Sequence, residues 1–359
     1  MNGAIWALPI IFIAAVFVLR HIGISRLAYK RYFSQPGTYE GETVMLVEEI
    51  QNRFIMPLFR VDVHAYLYKE LRLPGHTLAE SGMQEFTSRF FLAPRTLIRR
   101  SIPVVCTKRG YYELDSVYVQ RRSRTAKAKL FVYPRALAFE ESNPMENAMQ
   151  NLAQSNKRLF QDPFSYTGVR EYRPGDPFRS INYKATAKTG ELKVNERDFF
   201  SSRSFMVYID FQVPTYPKTL STLQYTQMME KSLSYTADMV SKSINQGYSV
   251  GFAANCKKLL GRENHIRYPM RRGREHYIEM LQEMASIRIS EGCSFLWLLQ
   301  QDIDNLWNVD IYIMTANTYD DNYYSFDNIV AALRSKGNHV TILVPDTGLG
   351  DALCGLEKQ

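Results

Sequence analysis

Two hydrophobic patterns follow one another along this chain, and no single sheet accommodates both. In the first, Phe59, Val61, Val63, Ala65 and Leu67 alternate with Arg60, Asp62, His64, Tyr66 and Tyr68, the period-two signature of a strand with one face in a core. Runs at 43–50, 86–92, 97–107, 111–120 and 129–133 are separated by turn residues such as Leu73-Pro74-Gly75 and Lys108-Arg109-Gly110, so about six short strands predict an immunoglobulin-like all-β sandwich. From Ser204 onward, apolar runs at 205–209, 248–254, 310–314 and 339–344 alternate with helical stripes at 221–246, 274–287, 295–307 and 326–335. That alternation predicts a mostly parallel sheet covered on both faces. Met229, Leu233, Ala237, Val240 and Ile244 make one helical stripe, and Ile278, Leu281 and Ala285 another.

At 359 residues, 45% hydrophobic and 13% aromatic, the chain has material for two cores and is not a disordered tail. Its cysteines, Cys106, Cys256, Cys293 and Cys354, stand singly without a C-x-x-C pair, which suits reduced core thiols better than zinc or a disulfide framework. No H-E-x-x-H, Walker A, G-x-S-x-G or G-x-G-x-x-G is present, so the common hydrolase and nucleotide signatures are excluded. No catalytic residue is therefore assigned.

Gly3 to Leu19 is a run of 17 uncharged residues, extended past Arg20 and His21 by 22–24. With the helix continued to Ile24, such a run is expected to form one transmembrane helix. Arg20, Arg26, Lys30 and Arg31 follow it before the first acid, Glu40, which predicts an outside N-terminus and cytoplasmic domains at the cell membrane. From Arg89 to Arg135 there are twelve Lys and Arg against Glu113 and Asp115, in a chain of net charge +8. That concentration leaves open an anionic lipid, another acidic ligand, or a solvated face; nucleic acid is disfavoured because no recognition motif accompanies it.

The organisation expected is an anchor and basic juxtamembrane segment at 1–35, the sandwich at 36–139, a connector at 140–160 with a short helix after Pro144, a turn–helix–strand segment at 161–203, and the α/β domain at 204–359. In the fourth of these, Pro174-Gly175 forms a turn, Asp176 is placed to cap a helix opened by Pro177, and Gly190 is placed to end it. Arg179 and Tyr183 then share a face at i,i+4, as do Ile181 and Ala185. The density of fixed polar groups, Arg170, Glu171, Tyr172, Arg173, Gly175, Asp176, Arg179, Asn182, Tyr183 and Lys184, makes this the candidate partner-binding surface, against the alternative of an ion network that only locks the turn.

The run R-E-Y-R-P-G-D-P-F-R-S-I-N-Y-K-A-T-A-K-T-G-E-L from Arg170 to Leu192 resembles the signature of the domain-of-unknown-function family numbered 58. Its members are membrane-anchored proteins with a von Willebrand factor A-like, Rossmann-type α/β domain. Arg109-Gly110-Tyr111-Tyr112-Glu113-Leu114 and Phe131-Val132-Tyr133-Pro134 look like that family's sandwich, so the resemblance spans essentially the whole chain. It implies a non-enzymatic adaptor or scaffold, a companion of a MoxR-type AAA+ ATPase in assembling or remodelling envelope or metal-dependent complexes. The family usually has Asp-Trp where this chain has Asn182-Tyr183.

A von Willebrand A metal site needs D-x-S-x-S after its first strand to give Mg2+ hard oxygen ligands. Here the residues are Asp210-Phe211-Gln212-Val213-Pro214. Asp210 is the one metal candidate, in a degenerate site, and no cofactor is expected. The opposing reading is a divalent-metal-dependent hydrolase or phosphatase acting through Asp210 with Asp320 or Asp321.

Overall fold

In a computed structural model, residues 3–74, 83–120, 122–135, 160–174, 178–200, 204–214, 221–259, 261–317, 319 and 323–345 are described, with side chains of the first helix described from Phe12 onward. The expected connector helix after Pro144 lies outside these residues.

Helix α1 (Gly3–Ser25) is followed by strands β1 (Leu27–Phe33), β2 (Gly37–Tyr39), β3 (Thr43–Asn52), β4 (Leu58–Tyr68), β5 (Leu71–Arg72), β6 (Met83–Leu92), β7 (Leu97–Cys106), β8 (Gly110–Val119) and β9 (Arg122–Tyr133). They form two facing sheets, β1-β3-β7-β5 and β2-β9-β8-β4-β6. All pairs are antiparallel except β2 with β9. Their inward side chains, Leu46, Val63, Leu67, Val104, Val117 and Leu130 among them, make one core.

The alternation in β4 breaks where sequence alone could not place it. Arg60 adopts a positive φ of 53°, and the pairing with β6 shifts register between Leu58 and Val61. The bulge turns Leu58 inward and leaves Phe59 exposed. Residues 27–33, expected beside an anchor, instead form β1 and pair along their whole length with β3. Arg31 of β1 is buried, donating from Nε to Ala126 O at 2.8 Å and from Nη2 to Ser116 O at 3.0 Å.

Hairpin β10 (Phe160–Glu171) and β11 (Lys193–Phe200) encloses the 3-10 turn Phe178–Ser180 and α2 (Tyr183–Thr189). Then come β12 (Ser204–Ile209), α3 (Thr222–Asn245), β13 (Ser249–Ala254), β14 (Cys256–Lys258), β15 (Ile266–Arg271), α4 (Arg274–Ser286), β16 (Ile287–Glu291), α5 (Phe295–Asp302), β17 (Asp310–Met314), α6 (Tyr323–Ser335) and β18 (His339–Leu343). The central sheet has the order β15-β13-β12-β17-β18. Four of its strands are parallel, and β15 closes the edge antiparallel to β13. Separate core clusters cover its two faces. Helix α3 opens with a capping box, in which the Ser221 side chain accepts from Gln224 N and the Gln224 side chain accepts from the Ser221 backbone. Helix α4 packs through His276, Met280, Leu281, Met284 and Ala285; the expected core residue Ile278 lies at its exposed edge.

These features correct the expected fold class, a von Willebrand A-like α/β domain plus a sandwich behind one transmembrane helix. Among the described residues the chain is β-rich, with mixed and antiparallel sheets and six α-helices, and none of its helices is long and apolar enough to cross a membrane. Arg20 and His21 interrupt the apolar run of α1. The expected single-pass localisation, with the N-terminus outside and the domains cytoplasmic, is not supported by the helices described.

The sandwich meets the central sheet through Arg109, whose side chain is buried. Its Nε and Nη2 hold Glu230 of α3 at 2.7 and 3.1 Å. Its Nη1 donates to Met284 O at 2.5 Å and Ile287 O at 2.9 Å, so one guanidinium ties α3 to the junction of α4 and β16. Tyr39 and Tyr277 join their hydroxyls across the same seam at 2.9 Å.

Candidate functional site

Two places concentrate polar chemistry. The first lies at the carboxyl ends of the parallel strands, where open α/β sheets commonly bind ligands. In the register of β12 with β13 and β17, Ile209 stands beside Ala254 and Met314. The next residues, Asp210, Asn255 and Thr315, therefore emerge side by side. Asp210 is 1% exposed. Its Oδ1 accepts from Gln212 N at 2.9 Å and Asn255 Nδ2 at 3.1 Å. Its Oδ2 accepts from Thr315 Oγ1 at 2.8 Å, Asn317 Nδ2 at 3.1 Å and the Tyr319 hydroxyl at 2.5 Å. Burial raises the Asp210 carboxyl above its ordinary value, and the hydrogen bonds from Tyr319, Gln212, Asn317 and Thr315 pull against that rise. Burial and the neighbouring Asp210 charge raise the Tyr319 hydroxyl as well.

This donor set does not fit a divalent-ion site. Mg2+ would need free oxygen lone pairs, whereas both Asp210 oxygens already accept hydrogen bonds from the loops around them, and position 214 is a proline. Asp320 and Asp321, the partners considered for it, lie outside the described residues. Asn255, Asn317 and Tyr319 were not singled out as site residues by sequence reasoning. The readable signal was that Asp210, Asn255 and Thr315 each follow a buried apolar strand directly; which of them meet depends on strand order.

The second place is the β10–β11 hairpin, which brings together most of the sequence candidates. Tyr172 N donates to Leu192 O at 2.9 Å, and its ring lies 6.4 Å from that of Phe178 in a stacked arrangement. Lys193 pairs with Glu171 at 3.3 Å and with Glu191 at 3.5 Å. Arg170 Nη1 donates to Glu171 O at 2.9 Å, and Arg173 is exposed.

The expected helix start at Pro177 is displaced. Phe178–Ser180 forms a 3-10 turn, Ile181 bridges to Val194, and α2 begins at Tyr183. The cap is Asn182, whose Oδ1 accepts from Ala185 N at 2.9 Å while its Nδ2 donates to Asn195 Oδ1 at 2.6 Å. Arg179 and Tyr183 thus stand on different elements and share no helical face. Gly190 ends α2 at a φ of 77°, as expected. Gly175 and Asp176, and the side chain of Arg179, lie outside the described residues. Helix α2 buries none of its side chains; Phe178 and Tyr183 are each 74% exposed, with Lys184 and Lys188 beside them.

The hairpin leading into a mixed sheet is the part of the chain that known families recognise. Residues 168–306 match the model of the family described as Protein of unknown function DUF58, as the resemblance of the 170–192 run led us to expect. A relative within reach is the uncharacterized protein YeaD of Bacillus subtilis (strain 168), 24% identical over 178 residues, which are 50% of this chain and 37% of that protein. The match thus spans well under half of the relative's length.

Similar solved structures include the Pseudomonas fluorescens alkylpurine DNA glycosylase AlkC bound to DNA, at 15% identity and a TM-score of 0.22, covering 30% of this chain and 31% of that one. A CARDB domain from Pyrococcus furiosus, in complex with di-metal ions, is 10% identical with a TM-score of 0.22, covering 30% of this chain and 86% of that one. Likenesses this slight carry no argument about fold or function.

Proposed function

We propose that the chain is a non-enzymatic adaptor that receives an acidic surface of a protein partner on the apex of the β10–β11 hairpin. The observation that carries this reading is the pair Phe178 and Tyr183, each 74% exposed on a segment that buries nothing of α2. Exposed aromatic anchors, with Lys184 and Lys188 exposed on α2, suit a protein interface of complementary charge. The 170–192 resemblance suggests the partner class, a MoxR-type AAA+ ATPase, and with it a role in assembling or remodelling envelope or metal-dependent complexes.

The hydrolase reading needs Asp210 open to substrate, and the sealed position of that carboxylate gives it no support. The test is direct binding between the purified chain and the MoxR-type ATPase of the same source. Phe178→Ser with Tyr183→Ser is expected to weaken binding at least tenfold, the loss typical of removing two interface anchors. Unchanged binding by a folded double variant would sink the reading.

A further inference from the structure

At the end of the sandwich where α1 is seated, Ile55, Phe59 and Phe91 are 65%, 65% and 56% exposed, with Phe59 and Phe91 in ring contact at 5.1 Å. Met56 and Leu97 are exposed alongside them. Such a cluster at strand ends and the loop beside them is not core that failed to pack, because a buried asparagine holds the connecting loops in place. Asn52 Nδ2 donates to Met56 O at 2.9 Å and Ala93 O at 3.0 Å, and its Oδ1 accepts from Phe54 N at 3.0 Å. Arg95 N donates to Phe54 O at 3.2 Å, tying the second loop to the first.

Arginines rim the patch. Arg53, Arg60 and Arg95 are exposed. Arg60 and Arg95 both sit at a φ of 53°, a left-handed conformation that glycine would adopt without strain. The acid here, Asp62, pairs with Arg89 at 2.9 Å and stands 3.7 Å from Arg60. Exposed apolar side chains at the tips, with guanidinium groups around them, match the two layers of a lipid surface, acyl chains below and phosphates above.

We propose that this loop end of the sandwich docks on an anionic phospholipid surface, Ile55, Phe59 and Phe91 entering its outer layer and Arg53, Arg60 and Arg95 meeting phosphates. The contact is independent of the hairpin and its partner.

The test is co-flotation of the full-length protein with phosphatidylcholine vesicles, with and without phosphatidylserine. Wild type is expected to partition at least tenfold better onto the anionic vesicles, less so in high salt. Ile55→Ser, Phe59→Ser and Phe91→Ser together should abolish the difference. Arg60→Gly with Arg95→Gly should reduce flotation severalfold with an unchanged or higher melting temperature, and this variant decides if the triple one fails to fold. Equal flotation of wild type on both vesicles, or wild-type flotation of either folded variant, overturns the proposal. So does a triple variant that alters only self-association, since the patch then covers a second copy.

Discussion

The crevice at Asp210 and the hairpin at 160–200 are both rich in polar side chains, and they use them in opposite ways. At Asp210 the donors converge on one buried carboxylate and close the crevice from three loops. On the hairpin, the internal bonds of Asn182, Lys193 and Glu171 are spent shaping the backbone, while Phe178 and Tyr183 face outward. Density of polar residues therefore says little about binding. What matters is whether the chain supplies its own partners, because a buried group left unpaired loses its desolvation energy whereas an exposed one has water.

The contrast can be broken at four points. Asp210→Ala strips the acceptor from buried donors and is expected to destabilise the fold by about 3 kcal/mol or more, read by chemical denaturation. Replacing a hairpin residue should never approach that loss. Next in size is Tyr319→Phe, which removes the 2.5 Å hydrogen bond and should lower stability by about 1–2 kcal/mol.

Asp210 also carries a pH signature. Because burial raises the folded Asp210 value above the ordinary 3.8, its contribution is fully present below the unfolded value and is lost as pH rises through the folded one. The stability of wild type relative to Asp210→Asn should thus decline as pH rises from the ordinary 3.8 through the raised folded value, in denaturation at each pH; a flat difference would show the carboxylate to be unperturbed. Smallest of all is Asn182→Ala, which removes a cap and should cost about 1 kcal/mol, detected as faster local amide exchange in 183–189. If it instead unfolded the whole chain, the hairpin would be part of the core and the contrast would fail.

Much of this architecture was legible from local pattern. The strand at 310–314 and the Gly190 stop follow from periodicity and capping chemistry, which act within a few residues. Strand β1 was not read, since its basic residues Lys30 and Arg31 looked like the flank of an apolar run. Its pairing with β3 and the carbonyls that receive Arg31 come from sequence positions far away. Helix α2 began later than the Asp-Pro signal suggested because the bridge between Ile181 and Val194 keeps the chain out of the helix until Asn182. The spanning helix was an expectation from the uncharged run at 3–19 and its extension to 24, and the described residues do not support it.

By itself, the sequence determined that one half of the chain alternates with a period of two and the other builds helices over buried strands. Those choices follow from side-chain spacing along a single element. Only the tertiary structure decided that Asp210, Asn255 and Thr315 would meet, since parallel register and strand order bring together residues 45 and 105 positions away from Asp210. It also decided that Arg109, read as part of a turn, would end α4 from another domain. A charged group can be buried there because carbonyls and Glu230 wait for it, and no local pattern can announce partners supplied by a distant part of the chain.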